Sequence, residues 1–391
     1  MNIRKQKRQH LTITILSLSL LTVMAGAAVA PALNTINAYF SDEGKTFTQM
    51  IISIPSLFIV LMSFFFPVLC RHFKSKTLLM SGLILYVTGG SIAGIFSNIW
   101  LVLLFRSFVG IAVGIIMPMS TGLLSFYYTR DKQDKLMGYS SAMNQMGGVI
   151  ATLLAGLLAS ISWRLSFLVY LMGLVSIILC FWFLPNERIS EEKSKKEKKM
   201  FKRYYTFIIA IFLLMLTFFI YPTVFSIEAS KEGIIPQYLI AVIMAGTDLI
   251  AFLGGLFFVH IKKISGHSAA IVAPVLFASG YALLWLIGGW PGAFAGSAFI
   301  GLANGFGIPF IISSASQKAG KSAAVTIMPM LTMSLYLAQF VTPLILSLVS
   351  AAAYNASIHN ISYITAFISS ILFLLWSFLL MNSHTDRHSI I

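Results

Sequence analysis

FVGIAVGIIMPM (108–119) and FIGLANGFGIPF (299–310) lie 191 residues apart and superpose without a gap. Phe108, Gly110, Ala112, Gly114 and Pro118 fall on Phe299, Gly301, Ala303, Gly305 and Pro309. Each stretch sits inside a long apolar run, and the first, from Asn98 to Tyr128, contains one charge, Arg106. Repeated Gly-Gly-Pro spacing in two such runs points to an internal duplication of membrane helices. The second copy has no arginine: Ser297 stands at the position of Arg106.

Composition agrees. Of 391 residues, 58% are hydrophobic and 10% charged, against about 25% charged in a soluble domain. Apolar runs of about 20 residues, each long enough for a bilayer core of about 30 Å, recur from end to end. They predict an all-α polytopic membrane protein with twelve spans: 11–33, 47–70, 77–97, 99–127, 136–160, 164–184, 204–226, 236–260, 267–288, 291–316, 322–350 and 360–382. The basic residues Arg4, Lys5, Lys7 and Arg8 before the first span imitate a signal peptide, but its apolar region is too long and further spans follow.

The formal charge of +15 follows topology. With the N-terminus inside, the inner segments total +16 and the outer loops −1, as the positive-inside rule requires. Both termini are then cytoplasmic, in the plasma membrane, and nucleic acid is not needed to explain the basic surplus. Some attraction to anionic membrane lipid is expected. Two charges are left within the spans, Arg106 and Asp248.

The longest loop, PNERISEEKSKKEKKMFKR (185–203), is densely charged and reads as a cytoplasmic linker or surface helix. It divides the chain into six-helix bundles at 1–184 and 204–391. Two halves in the same orientation form a parallel repeat, an architecture of transporters.

RSFVGIAVGIIMP (106–118) resembles the helix-4 motif of the major facilitator superfamily: arginine, glycines four and eight residues on, then proline. WRLSF (163–167) resembles that family's usual start of helix 6. The resemblance implies two pseudo-symmetric bundles and alternating access, and among the branches the drug/proton antiporter-like exporters look most similar. Two motifs depart from the pattern. In PVLCRHFKSK (67–76), Pro67, Arg71 and Lys74 replace the family's glycine, aspartate and second glycine. In helix 5, Gly138, Gly147 and Gly156 are kept, but Ala151 and Thr152 stand where Gly-Pro is usual.

Residues four apart on a helix advance about 400°, so Arg106, Gly110, Gly114 and Pro118 form one stripe. Small residues at that spacing admit a neighbouring helix. Gly110, Gly114, Pro118, Gly301, Gly305 and Pro309 are therefore expected to pack helices, and sliding at those contacts would make them gating elements. Arg106 cannot shed its charge and needs a cavity, a ligand or an anionic partner. Asp248 lies near the middle of its span; a carboxyl moved between apolar surroundings and water releases and rebinds a proton. These two are the candidates for proton coupling. Asn34, Asn144, Gln145, Asn304, Tyr336 and Gln339 are polar groups at useful depth, either substrate contacts or interhelical glue.

Enzyme readings fail. AGKS (319–322) has the end of a phosphate loop, but Ala315 replaces its first glycine. No metal-ligand spacing occurs, Cys70 and Cys180 suggest no disulfide, and no cofactor is expected. The leading expectation is a monomeric secondary transporter that exports a small amphipathic organic compound by proton antiport. The alternatives are a uniporter or proton-coupled importer of a small organic anion, or a membrane receptor or scaffold that moves nothing.

Overall fold

The computed structural model describes residues 2–43, 45–189, 197–232, 237–287, 289–320, 327–354 and 361–385. These are helical almost throughout, with no strand among them. In chain order the α-helices are α1 (Asn2–Ala27), α2 (Leu33–Tyr39), α3 (Lys45–His72), α4 (Ser75–Ala93), α5 (Ile99–Tyr127), α6 (Arg130–Ala159) and α7 (Gly173–Phe183). They continue with α8 (Glu197–Glu232), α9 (Gln237–Leu256), α10 (Phe258–Ser265), α11 (Ala269–Leu286), α12 (Gly289–Ala319), α13 (Met328–Tyr354) and α14 (Ile361–Thr385). Among the described residues eleven helices are long and apolar enough to cross a membrane, and α9 and α10 pass the same test together as a bent pair. The protein is a multi-pass helical membrane protein.

Bilayer hydrocarbon offers backbone groups no hydrogen bonds, so each span satisfies its own as a helix. Local sequence sets several ends. Asn98 caps α5, its side chain accepting from the amides of Trp100 (2.8 Å) and Leu101 (3.4 Å). Gly266, with φ of 50°, closes α10 in a conformation that side chains disfavour.

Three details differ from the hydropathy reading. The outer connection after the first span contains the short helix α2. The sixth span starts as a 3₁₀ helix over Trp163–Met172 before continuing as α7. The span expected at 236–260 breaks at Phe257, where α10 turns 66° from α9. In addition, α8 begins at Glu197, so its first turns lie within the stretch read as linker.

By contacts the chain forms two compact units: Met1–Leu136 with Met143–Lys195 and Ser316–Tyr336, and Met137–Ala142 with Lys196–Ala315 and Leu337–Ile391. In the first, α3 packs against α5 at the glycine ladder. A Cβ at Gly110 would stand 2.5 Å from the Pro55 carbonyl oxygen, and one at Gly114 2.6 Å from Met62 Cβ. In the second, α9 packs on α12 the same way: a Cβ at Gly301 would strike the Thr247 carbonyl, and one at Gly305 the Ala251 carbonyl. Helices in lipid associate through packing and hydrogen bonds rather than hydrophobic burial, so such close backbone approach is a main source of cohesion. Pro118 and Pro309 lie within α5 and α12. Lacking an N–H, each leaves the carbonyl four residues back, that of Gly114 or Gly305, without its helical donor.

Candidate functional site

Arg106 is fully buried in α5. Its Nε donates to the Ile51 carbonyl (2.7 Å), its Nη2 to the Ala25 carbonyl (2.8 Å) and its Nη1 to the Tyr170 hydroxyl. Tyr170 passes its own proton to the same Ala25 carbonyl (2.7 Å). One side chain thus ties α5 to α1, α3 and the 3₁₀ segment.

Both carbonyls are available for a local reason. An α-helical carbonyl is met by the amide four residues later. For Ile51 that residue is Pro55, which has none. For Ala25 it is Val29, whose amide turns to Gly26 instead (3.3 Å) because α1 has ended at Ala27. The end of α1 also carries the negative pole of its helix dipole, which favours a cation there. Arg106 is therefore satisfied by backbone oxygens and a phenol. A second tyrosine braces the tie: Tyr86 meets Tyr170 edge-on at 5.3 Å and donates to the Leu21 carbonyl (3.0 Å).

At the equivalent place in the second unit, Ser297 on α12 meets the Tyr221 hydroxyl of α8 (2.6 Å), which meets Thr247 Oγ1 of α9 (3.0 Å). Thr247 gives its proton to the Ile243 carbonyl (3.1 Å). A hydroxyl has one proton, so Tyr221 donates to Thr247 and Ser297 donates to Tyr221. All three side chains are buried. Tyr281 on α11 donates to the Thr217 carbonyl of α8 (2.6 Å), the counterpart of Tyr86 on α4 reaching α1. Asp248 follows Thr247 on α9, half-buried, with Tyr221 inside its electrostatic reach.

The other polar candidates divide. Asn144 is held by Thr22 of α1, whose hydroxyl donates to its Oδ1 (2.8 Å). Gln145 and Asn304 are buried with Nε2 and Oδ1, respectively, lacking any partner. Tyr336 is buried, Gln339 is half-buried, and the Asn34 side chain lies outside the described residues. Sequence reasoning missed Tyr170, Ile51 and Ala25. The one available signal was Pro55, which marks a free carbonyl four residues earlier. Among the described residues no cluster of three or more His, Cys, Asp or Glu side chains could hold a metal, and Cys70 and Cys180 are free thiols.

The helical bundle, its repeated glycine ladder and the buried charge are those of a polytopic helical membrane protein. The sequence profile of the Major Facilitator Superfamily matches residues 15–343, and the chain belongs to that family. It is weakly similar to a quinolone resistance protein and to a multidrug transporter. It shares 23% identity with the quinolone resistance protein NorA of Staphylococcus aureus over 64% of this chain and 70% of that protein. With the multidrug transporter MdtP of Bacillus subtilis it shares 28% identity over 25% of this chain, spanning only 19% of that protein's length. The crystal structure of the human organic anion transporter MFSD10 has the same fold, with a TM-score of 0.78 at 15% identity, covering 95% of this chain and 99% of that one.

Proposed function

We propose that this transporter exports a small amphipathic organic compound in exchange for protons, with Asp248 as the proton-binding group. The observation that carries the reading is the place of Asp248: an ionisable side chain in the middle of a membrane span, half-buried, beside a hydroxyl chain that is already complete. Its charge is then free to change with its access to water. Arg106 supplies a fixed positive centre for the coupling machinery and holds the helices around it. The weak similarity to a quinolone resistance protein and a multidrug transporter supports outward movement of an organic substrate.

Gln145 Nε2, a donor, and Asn304 Oδ1, an acceptor, are buried without a hydrogen-bond partner and are candidate substrate contacts. Asn34, Asn144, Tyr336 and Gln339 complete the candidate contacts. In this reading Gly110, Gly114, Pro118, Gly301, Gly305 and Pro309 are the surfaces along which helices shift. The protein works as a monomer in the plasma membrane, with bundles at 1–184 and 204–391 and both termini cytoplasmic. Uptake of an organic anion through Arg106 is the weaker reading, because its Nε, Nη1 and Nη2 each already face a protein oxygen.

The test is Asp248→Asn in proteoliposomes loaded with a fluorescent dye panel. Flux driven by a pH gradient should fall at least about tenfold, while dye binding to the purified protein is retained. Undiminished proton-driven flux in the variant would remove Asp248 from the mechanism.

A further inference from the structure

The 3₁₀ helix that opens the sixth span is long for its kind. It runs for 10 residues, Trp163–Met172, whereas runs of more than three or four are uncommon because their hydrogen bonds are poorly aligned. It contains neither glycine nor proline, and from Gly173 the chain continues as an α-helix.

The winding is fastened near both ends. At its start, Arg164 Nη2 donates to the Tyr39 hydroxyl (3.1 Å) and to Ser97 Oγ (2.9 Å). The guanidinium also lies over the rings of Tyr39 and Trp163. Tyr39 ends α2, in the connection from α1 to α3, and Ser97 lies in the connection from α4 to α5. These connections and the one before Trp163 follow the first, third and fifth spans, so they share one rim of the first unit. All three meet at Arg164. Toward the other end, Tyr170 accepts from Arg106 and donates to the Ala25 carbonyl (2.7 Å).

At three residues per turn, positions 164, 167 and 170 stand above one another. That face is the one α4 receives. A Cβ at Gly94 would come 2.6 Å from the Arg164 carbonyl and 3.0 Å from Phe167 Cβ, and one at Gly90 2.1 Å from the Tyr170 ring. Leu168 and Leu171, on another face, are exposed. An α-helix advances about 100° per residue instead of about 120°, so from Arg164 to Tyr170 the two windings differ by about 120°. With Tyr170 in place, an α-helix would point Arg164 away from Tyr39 and Ser97. Both ties are made together only in the 3₁₀ form.

We propose that Trp163–Met172 is a torsional link that couples the rim of the first unit to the Arg106 site. Each tie favours the winding that the other requires, so loss of either lets the segment relax toward an α-helix and weakens the other. A displacement of α2 at the rim thereby reaches a buried charge that it does not touch.

The experiment places a spin label at Leu165→Cys or at Leu171→Cys, with Cys70 and Cys180 replaced by alanine, in lipid nanodiscs. Collision with dissolved oxygen then reports exposure to lipid, independently of any transport activity. Tyr39→Phe with Ser97→Ala removes both oxygens that accept from Arg164 and keeps the ring beneath it; Arg164→Gln is the stronger release. With Tyr170 still held, relaxation carries position 165 about 120° off the exposed face and leaves 171 on it. Either release should therefore lower oxygen exposure at 165 at least about twofold relative to 171. An unchanged ratio, or a label at 165 that turns mobile as on a frayed end, would overturn the proposal.

Discussion

Arg106 in the first unit and Ser297 in the second stand 191 residues apart, at one position of the repeat; Arg106 ties its helix to three other elements of its unit and Ser297 ties its own to two. The means differ. Around Arg106 a permanent charge is held by two stranded carbonyls and a phenol. Around Ser297 three hydroxyls pass protons in one direction and end on the Ile243 carbonyl. The first tie depends on a defect in each neighbouring helix, the end of α1 and the proline of α3. The second needs no such defect, because neutral hydroxyls are satisfied by one another. The contrast teaches where variable charge can reside. Asp248 stands in the unit whose tie is neutral, one residue after Thr247 of that tie.

Removing the charge should separate the two units most. Arg106→Met leaves the Ile51 carbonyl without a donor and the Ala25 carbonyl with Tyr170 alone, and should cost about 3 kcal/mol or more. The readout is thermal unfolding in detergent, together with expression level; a variant as stable as the parent would mean that the tie is dispensable. The second prediction breaks the cause rather than the contact. Pro55→Ala restores an amide that can reach Ile51, so in that background Arg106→Met should cost about 1 kcal/mol less. Additive losses across this cycle would show that the stranded carbonyl is not what Arg106 serves. The smallest effect falls in the neutral tie. Tyr221→Phe removes one hydroxyl from a chain of three and should destabilise by about 1 kcal/mol, without the loss of expression expected for Arg106→Met. A larger penalty for Tyr221→Phe than for Arg106→Met would reverse the comparison.

Much of this was legible before any coordinates. Hydropathy fixes the spans, because only about 20 apolar residues can cross a bilayer core as a helix, and the shared Gly-Gly-Pro spacing aligns the halves. The isolation of Arg106 was equally plain. Its partners were not, since backbone oxygens carry no residue identity, and Tyr170 arrives from 64 positions away. The break at Phe257 escaped for a different reason. The run GGLFFVHIKK (254–263) contains no proline, and its glycine pair permits a bend without placing one at Phe257. The 3₁₀ winding of Trp163–Met172 likewise leaves no mark in a sequence as helical as its surroundings. The orphaned atoms of Gln145 and Asn304 depend on what packs nearby, which a residue list does not give.

The length of α8 has a mechanical consequence. Its 36 residues run unbroken from Glu197, and its membrane span starts only at Tyr204. The seven residues in front form a stiff arm about 10 Å long at 1.5 Å per residue. Such an arm carries phase as well as reach: losing one residue from it swings everything upstream by about 100°, whereas losing four nearly restores the heading. Tolerance to insertion and deletion within Glu197–Arg203 should therefore follow the helical period.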